Sequence, residues 1–136
     1  MCFKLKNSNI GPITTDEDVI VYKVFRKTKV SAIGNKWKYT GPFQIYFSYE
    51  DLNGTYHSYE FTKNKYDGCN DALLGFHSFK DFYDAVWLMD YLSNWRCTGN
   101  EYFEIIPCII PAGTQFLEGY YEGRECYLSE TIKLDY

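Results

Sequence analysis

The order of apolar and polar residues predicts one helix near the middle of the chain. Apolar residues recur there at helical spacing, at Phe82, Ala85, Val86, Met89 and Leu92. We expect this helix to span about residues 79–95. Ser78 is followed three residues later by Asp81, a spacing that resembles a capping box and predicts Ser78 as the N-cap. Residues 75–78 predict a short strand that leads directly into the helix.

Strand-like runs fill much of the remaining chain. Residues 18–25 are nearly all β-branched or aromatic, which predicts a strand buried on both faces. Residues 26–40 are rich in lysine and contain Gly34-Asn35, so they predict a basic loop. Asn53-Gly54 separates two aromatic runs and predicts a hairpin with a type I′ turn. In that register Glu50 would face His57.

The C-terminal part of the chain predicts further strands. Residues 102–110 predict a long strand, and Pro107 within it indicates an edge position or a bulge because proline cannot donate a ladder hydrogen bond. Residues 115–121 and 125–134 predict the last strands. Residues 1–15 read as an N-terminal arm with a short edge strand at Phe3–Leu5.

These elements predict an α+β fold, a mostly antiparallel sheet packed on one main helix. The length of 136 residues predicts a single domain over residues 1–136. The hydrophobic fraction of 46% and the charged fraction of 24% are those of a globular protein rather than a disordered one. No membrane span or signal peptide is recognisable, so we expect a soluble protein in the cytosol.

The five cysteines do not form a recognisable framework. Their number is odd and no Cys-x-x-Cys occurs, which argues against a secreted disulfide scaffold and against a zinc site. We expect reduced thiols in a cytosol. The sequence predicts no metal and no cofactor.

The distribution of charge suggests an anionic ligand. The net charge is −4, which argues against extended nucleic-acid binding. However, no Asp or Glu occurs between Val19 and Tyr49, a segment that combines lysines with aromatic residues. Positive charge and flat rings suit phosphates and bases, although a solvated basic loop is the plainer interpretation. The candidate ligand-binding residues in this segment are Lys23, Arg26, Lys36, Trp37, Lys38, Tyr39 and Phe43.

His77 and Ser78 complete the set of candidates. Both precede the predicted helix, where the N-terminus favours negative charge. A structural histidine bonded to a neighbouring backbone group is the alternative. No catalytic motif is present. If the protein is an enzyme, His77 and Glu130 are the candidate catalytic residues.

Several motifs resemble a group of short, uncharacterised proteins from phages and from mobile elements of gut bacteria. They are the start Met1-Cys2-Phe3-Lys4-Leu5, Asp18-Val19-Ile20-Val21-Tyr22-Lys23-Val24, Gly41-Pro42-Phe43-Gln44, Gly75-Phe76-His77-Ser78-Phe79 and Cys108-Ile109-Ile110-Pro111-Ala112-Gly113-Thr114. The resemblance brings no established activity. It implies a phage or mobile-element setting, in which small proteins act on host machinery.

A weaker analogy is to the ADP-ribosyltransferase fold. Tyr22-Lys23, His77-Ser78 and Glu130 stand where that fold carries its basic strand, its strand-to-helix residues and its late glutamate. Lys23 replaces the usual Arg or His, and no Ser-Thr-Ser run exists. The analogy concerns the fold alone.

Three hypotheses follow. The first is a non-enzymatic phage-type protein that counteracts host defence by sequestering an anionic, nucleotide-like signal. The second is a protein–protein inhibitor whose exposed Tyr and Phe residues dock on a host defence enzyme. The third is an ADP-ribosyltransferase-like enzyme. A homo-oligomer is compatible with all three.

Overall fold

The protein combines a mostly antiparallel sheet with one helix, as an α+β domain does. The computed structural model describes residues 3–5, 12–29, 37–40, 48–58, 61, 75–96 and 101–135. The helix, α1, spans Phe82–Arg96. The strands are β1 (Phe3–Leu5), β2 (Val19–Lys29), β3 (Trp37–Thr40), β4 (Ser48–Glu50), β5 (Thr55–Ser58), β6 (Phe76–Phe79), β7 (Glu101–Ile110), β8 (Phe116–Tyr121), β9 (Arg124–Ser129) and β10 (Thr131–Leu134).

The ten described strands form one sheet in the order β1-β8-β9-β6-β2-β7-β10-β5-β4, with β3 pairing with β2 off this path. Every pairing is antiparallel. The predicted strand at Phe3–Leu5 is confirmed at one end of this order. Trp37–Thr40 pairs with the end of β2, so the predicted basic loop is wrong for that part: a second strand forms there instead.

The sheet curls upon itself. Three strands lie between β9 and β10 in the order, which in a flat sheet would separate them by about 19 Å. In the chain, however, Glu130 alone joins them, a span of at most about 7 Å. Backbone hydrogen bonds fix this corner, since the Glu130 N–H donates to the Gln115 oxygen at 3.1 Å and the Ser58 N–H donates to the Glu130 oxygen at 2.9 Å.

The curl gives the sheet two buried faces. Helix α1 packs on the outer face, against β2, β6 and β7. The core between α1 and this outer face includes Val24, Phe79, Leu88, Leu92 and Leu128. The inner face encloses a second core that includes Val21, Phe25, Ile106, Phe116 and Ile132. Strand β2 therefore lies between two cores from Val21 to Phe25, as its sequence predicts, whereas Ile20 remains 60% exposed.

Helix α1 begins at a different residue from the predicted one. The Asp81 side chain accepts a hydrogen bond from the Tyr83 N–H at 2.9 Å, so Asp81 is the N-cap. Ser78 lies inside β6, paired with Tyr127 of β9. The cap prediction failed because the strand extends to Phe79 and carries Ser78 into the core.

Pro107 lies in the interior of the sheet, so the predicted edge position is wrong. It pairs with Tyr22 in the middle of the long β2–β7 ladder. Its carbonyl oxygen accepts from the Asp135 N–H at 2.9 Å, which shows that its backbone polar groups point toward β10. Because β10 ends at Leu134, the missing N–H falls just beyond the last residue of that strand.

The β4–β5 hairpin forms where it is predicted, with a different turn. The Gly54 N–H donates to the Asp51 oxygen, and Gly54 has a φ of 78°. Asn53 is not among the residues with positive φ, so this is a type I turn followed by a bulge at glycine rather than a type I′ turn. The register places Tyr49, and not Glu50, opposite His57.

Candidate functional site

Three of the predicted ligand-binding residues meet where β2 and β6 pair. Tyr22 pairs with Phe79, so the next position of this antiparallel ladder sets Lys23 beside Ser78. The Lys23 Nζ donates to the backbone oxygen of His77 at 2.7 Å. Sequence reasoning listed Lys23 as a candidate ligand-binding residue within a strand predicted to be buried on both faces. The residue is 3% exposed.

Strand alternation explains why Lys23 is buried. Successive residues of a strand point to opposite faces, so Lys23 shares the inner face with Val21 and Phe25. Both neighbours belong to the inner core. The long aliphatic stem of Lys23 suits this surrounding, and the Lys23 Nζ lies 5.7 Å from the centre of the Phe25 ring, within the range of a cation–π contact.

Burial changes the acid–base chemistry of the cluster. Desolvation lowers the pKa of Lys23 from 10.5 to about 8, and the Cys108 and Cys126 thiols oppose this shift. Desolvation also raises the pKa of Cys108 and of Cys126 to about 12. Both thiols are buried and neutral near pH 7, so neither has the thiolate character of a reactive cysteine.

Two serine hydroxyls add polar groups to the same inner face. Ser78 and Ser129 are both 0% exposed. Ser129 pairs with Phe76 across β9 and β6, two positions from Ser78 on the same face. Among the described residues, neither the Ser78 Oγ nor the Ser129 Oγ has a hydrogen-bond partner. Buried hydroxyls without partners are unfavourable.

The β2–β3 hairpin continues from this cluster. Its register pairs Lys27 with Tyr39 and Lys29 with Trp37, while Arg26 pairs with Thr40 and Thr28 with Lys38. By strand alternation, positions 27, 29, 37 and 39 belong to the same face as Lys23. Arg26 and Lys38 belong to the opposite face. Lys36 and Phe43 lie outside the described residues.

The two candidate catalytic residues both lie near the pairing of β6 with β9, since Glu130 directly follows Ser129, which pairs with Phe76. His77 lies within β6, opposite Leu128 of β9. Glu130 lies at the corner between β9 and β10, where its backbone closes the sheet. Within the described ranges, no three His, Cys, Asp or Glu side chains converge as a metal site would require.

A second feature that the sequence did not reveal is an exposed apolar patch beside the start of α1. Ile20, Phe82 and Tyr83 are 60%, 45% and 78% exposed. The Tyr22 and Phe82 rings meet edge to face at 5.6 Å, and the Phe82 and Tyr83 rings at 5.9 Å. We call Ile20, Tyr22, Phe82 and Tyr83 the aromatic patch. Helical spacing alone placed Phe82 in the core.

Comparison with known proteins gives no relative for this chain: no family model matches it, and no curated protein or solved structure is detectably similar. In the part of the chain that the structure describes, no helix has both the length and the apolar character needed to cross a membrane.

Proposed function

We propose that this chain is a small binding protein that retains an anionic, nucleotide-like molecule without altering it. The setting we propose is the cytosol of a host cell, where the protein would counteract host defence. The setting is supported by the resemblance to phage and mobile-element proteins. The binding role is supported by the chemistry of the inner face.

The observation that carries the proposal is a buried cation beside two unpartnered hydroxyls. The Lys23 ammonium has three N–H donors, and among the described residues its one hydrogen-bond acceptor is the His77 oxygen. Ser78 and Ser129 supply two further donors on the same face. An anionic oxygen would accept from these groups and offset the cost of burying the charge.

The neighbouring hairpin supports the nucleotide-like character of the ligand. Lys27, Lys29, Trp37 and Tyr39 occupy positions on the face that carries Lys23. Aromatic residues at such positions suit a base, and the lysines suit further phosphates. In this proposal Lys23, Ser78 and Ser129 bind the anionic group, while the hairpin positions contact the rest of the ligand.

The test is retention of a defined panel of compounds. Purified protein would be incubated with cyclic dinucleotides, cyclic trinucleotides, NAD and NAD-derived cyclic signals, filtered, and heated to release what it holds. Mass spectrometry of both fractions then identifies the compound. We expect one class to leave the filtrate and to return unaltered after heating.

Variants assign the retention to the inner face. Lys23→Met removes the charge and should weaken retention about tenfold or more, the value of a charged hydrogen bond. Ser78→Ala should weaken it to a smaller extent. The matched control is Lys133→Met, because Lys133 is an exposed lysine on another strand. Equal retention by Lys23→Met and the control would overturn the placement.

The same panel of compounds distinguishes simple binding from the enzymatic alternative. A compound that returns chemically altered would indicate catalysis, and alteration of NAD that is lost in Glu130→Gln would support the ADP-ribosyltransferase-like hypothesis. If every compound stays free, both nucleotide hypotheses fail.

The aromatic patch favours a second candidate function, inhibition of a host protein by direct docking. Exposed aromatic side chains are typical centres of protein interfaces. Phe82→Ala combined with Tyr83→Ala should abolish capture of a host defence enzyme from lysate. Leu52→Ala is the matched control, because Leu52 is a fully exposed apolar residue in the β4–β5 turn. Capture that survives the double substitution would contradict this function.

A further inference from the structure

A hydroxyl, an imidazole and a carboxylate line up at the junction of β5, β10 and the β4–β5 turn. The His57 Nε2 lies 2.9 Å from the Asp51 Oδ2. The other ring nitrogen of His57, Nδ1, lies 3.4 Å from the Thr131 Oγ1. Asp51 and His57 belong to the same hairpin, whereas Thr131 lies 74 residues beyond His57 in the sequence. Pairing of β10 with β5, which sets Thr131 directly opposite His57, brings them together.

The backbone explains the close approach of Thr131 and His57. The Ser58 N–H donates to the Glu130 oxygen, so Ser58 and Glu130 form a hydrogen-bonded pair. The next pair along the ladder, His57 with Thr131, is therefore a non-hydrogen-bonded pair, in which side chains lie closer together.

The turn holds Asp51 in position. Its Oδ1 accepts from the Asn53 N–H at 2.8 Å and from the Thr55 N–H at 3.1 Å. This leaves Oδ2 for His57. These hydrogen bonds lower the pKa of Asp51, with that from the His57 side chain contributing most, so the group is a carboxylate near neutral pH.

The carboxylate determines which ring nitrogen carries the proton. An ionised carboxylate only accepts hydrogen bonds, so the Nε2 of His57 must donate to it. In the neutral ring the Nδ1 then carries a lone pair rather than a proton, so the Thr131 hydroxyl is the donor of their contact. This is the arrangement of an activated nucleophile: a hydroxyl beside a base that a third group orients. The two ring nitrogens are exchanged relative to the usual serine-hydrolase triad.

We propose that Asp51, His57 and Thr131 form a reactive site, separate from the Lys23 cluster, at which Thr131 accepts a short acyl group from an activated ester. The Thr131 oxygen attacks the carbonyl carbon while its proton moves to the His57 Nδ1. The C–O bond to the leaving group then breaks, and the leaving group departs with the bonding electron pair. The His57 Nδ1 gives up its proton to the leaving group or to water, and an acyl-threonine remains.

Exposure sets the size of the acyl group. Thr131 is only 9% exposed, whereas the side chains of His57 and Asp51 are 30% and 32% exposed. A substrate would approach from the side of the partly exposed His57 and Asp51 and present a small carbonyl group, such as acetyl, to the Thr131 oxygen. The site lies apart from Lys23, since Ile132, the residue next to Thr131, occupies the inner core.

The test uses 4-nitrophenyl acetate as the acyl donor and the intact protein. We expect a burst of 4-nitrophenolate of about one equivalent per chain, and an acetyl group on the peptide that contains Thr131. Thr131→Val keeps the shape without the hydroxyl and should abolish the burst. Thr131→Ser should retain it. His57→Gln should slow acylation about a hundredfold, the typical contribution of a general base.

Asp51→Asn separates a positioning role from a merely structural one. The side-chain oxygen at position 51 of this variant can still accept the hydrogen bonds from the Asn53 and Thr55 N–H groups. The neutral amide no longer requires the proton of the His57 ring to lie on Nε2. We expect slower acylation with a melting curve close to that of the wild type. Acetylation of lysines alone, or an unchanged burst in Thr131→Val, would overturn the proposal. Because Lys23→Met leaves this site intact, loss of nucleotide retention and loss of acylation are independent outcomes.

Discussion

At the residue scale, the burial of Lys23 has a consequence for stability. Its pKa is about 8 in the folded protein, where desolvation lowers it, against 10.5 for the free side chain. Between these values the unfolded chain binds more protons at this position than the folded one. The free energy of unfolding therefore rises as the pH rises from about 8 to 10.5. This gain is lost again as the pH falls through that range to about 8.

Lys23→Met should remove this dependence. We expect the free energy of unfolding of the wild type to rise relative to that of the variant by up to about 3 kcal/mol between pH 8 and 10.5. Urea denaturation of both proteins across this range measures the difference. The comparison is needed because Cys108 and Cys126 act in the opposite direction: their pKa of about 12 in the folded state lowers stability as the pH rises above 9. Parallel pH profiles would contradict the burial of a titrating ammonium.

The position of Lys23 was readable in part from the sequence. The strand prediction for residues 18–25 already implied that Lys23 alternates with Tyr22 and Val24 and shares a face with Val21 and Phe25. The density of lysines nearby favoured a surface interpretation instead. Ser129 had no such signal, because its proximity to Ser78 depends on the pairing of β6 with β9, which no local pattern specifies.

At the element scale, the residues at the start of α1 predict different effects of two substitutions on stability. Asp81 caps the helix, whereas the Ser78 hydroxyl is buried without a partner among the described residues. Asp81→Ala should cost about 1 kcal/mol of unfolding free energy, the usual effect of losing a cap. Ser78→Ala should change it by less or should stabilise the fold, since it removes an unsatisfied polar group.

Guanidinium denaturation followed by circular dichroism distinguishes the two variants. If Ser78 were the N-cap, as the capping-box spacing predicts, the order of the two effects would be reversed. In the ligand-bound protein Ser78→Ala should become unfavourable, because the hydroxyl then has a partner in our proposed site.

Among the elements, those set by local chemistry were predicted well and those set by neighbouring strands were not. The helix, the β4–β5 hairpin and the strands around Val21 and Leu128 follow from periodicity and turn residues. The central position of Pro107 could not be predicted, because it depends on where β10 ends. Strand β3 was missed because its polar residues resemble a loop until β2 supplies a partner.

At the scale of the whole molecule, the curl of the sheet depends on a single residue between two strands. Glu130 joins β9 to β10, and its N–H and oxygen bond to Gln115 and Ser58 on either side. This corner closes the inner face, on which both the Lys23 cluster and the apolar core depend. It also fixes Thr131 opposite His57.

Glu130→Pro tests whether this corner organises the fold. Proline removes the N–H that donates to Gln115 and leaves that acceptor without its partner, so we expect a loss of about 1–3 kcal/mol of unfolding free energy. Glu130→Gln keeps the backbone donor and should unfold like the wild type in urea. Closure of the sheet positions both proposed sites, and Ser129 and Thr131, the chain neighbours of Glu130, belong to one site each. Glu130→Pro should therefore weaken nucleotide retention and Thr131 acylation together. A Glu130→Pro protein with wild-type stability would show that the inner face is closed by other contacts.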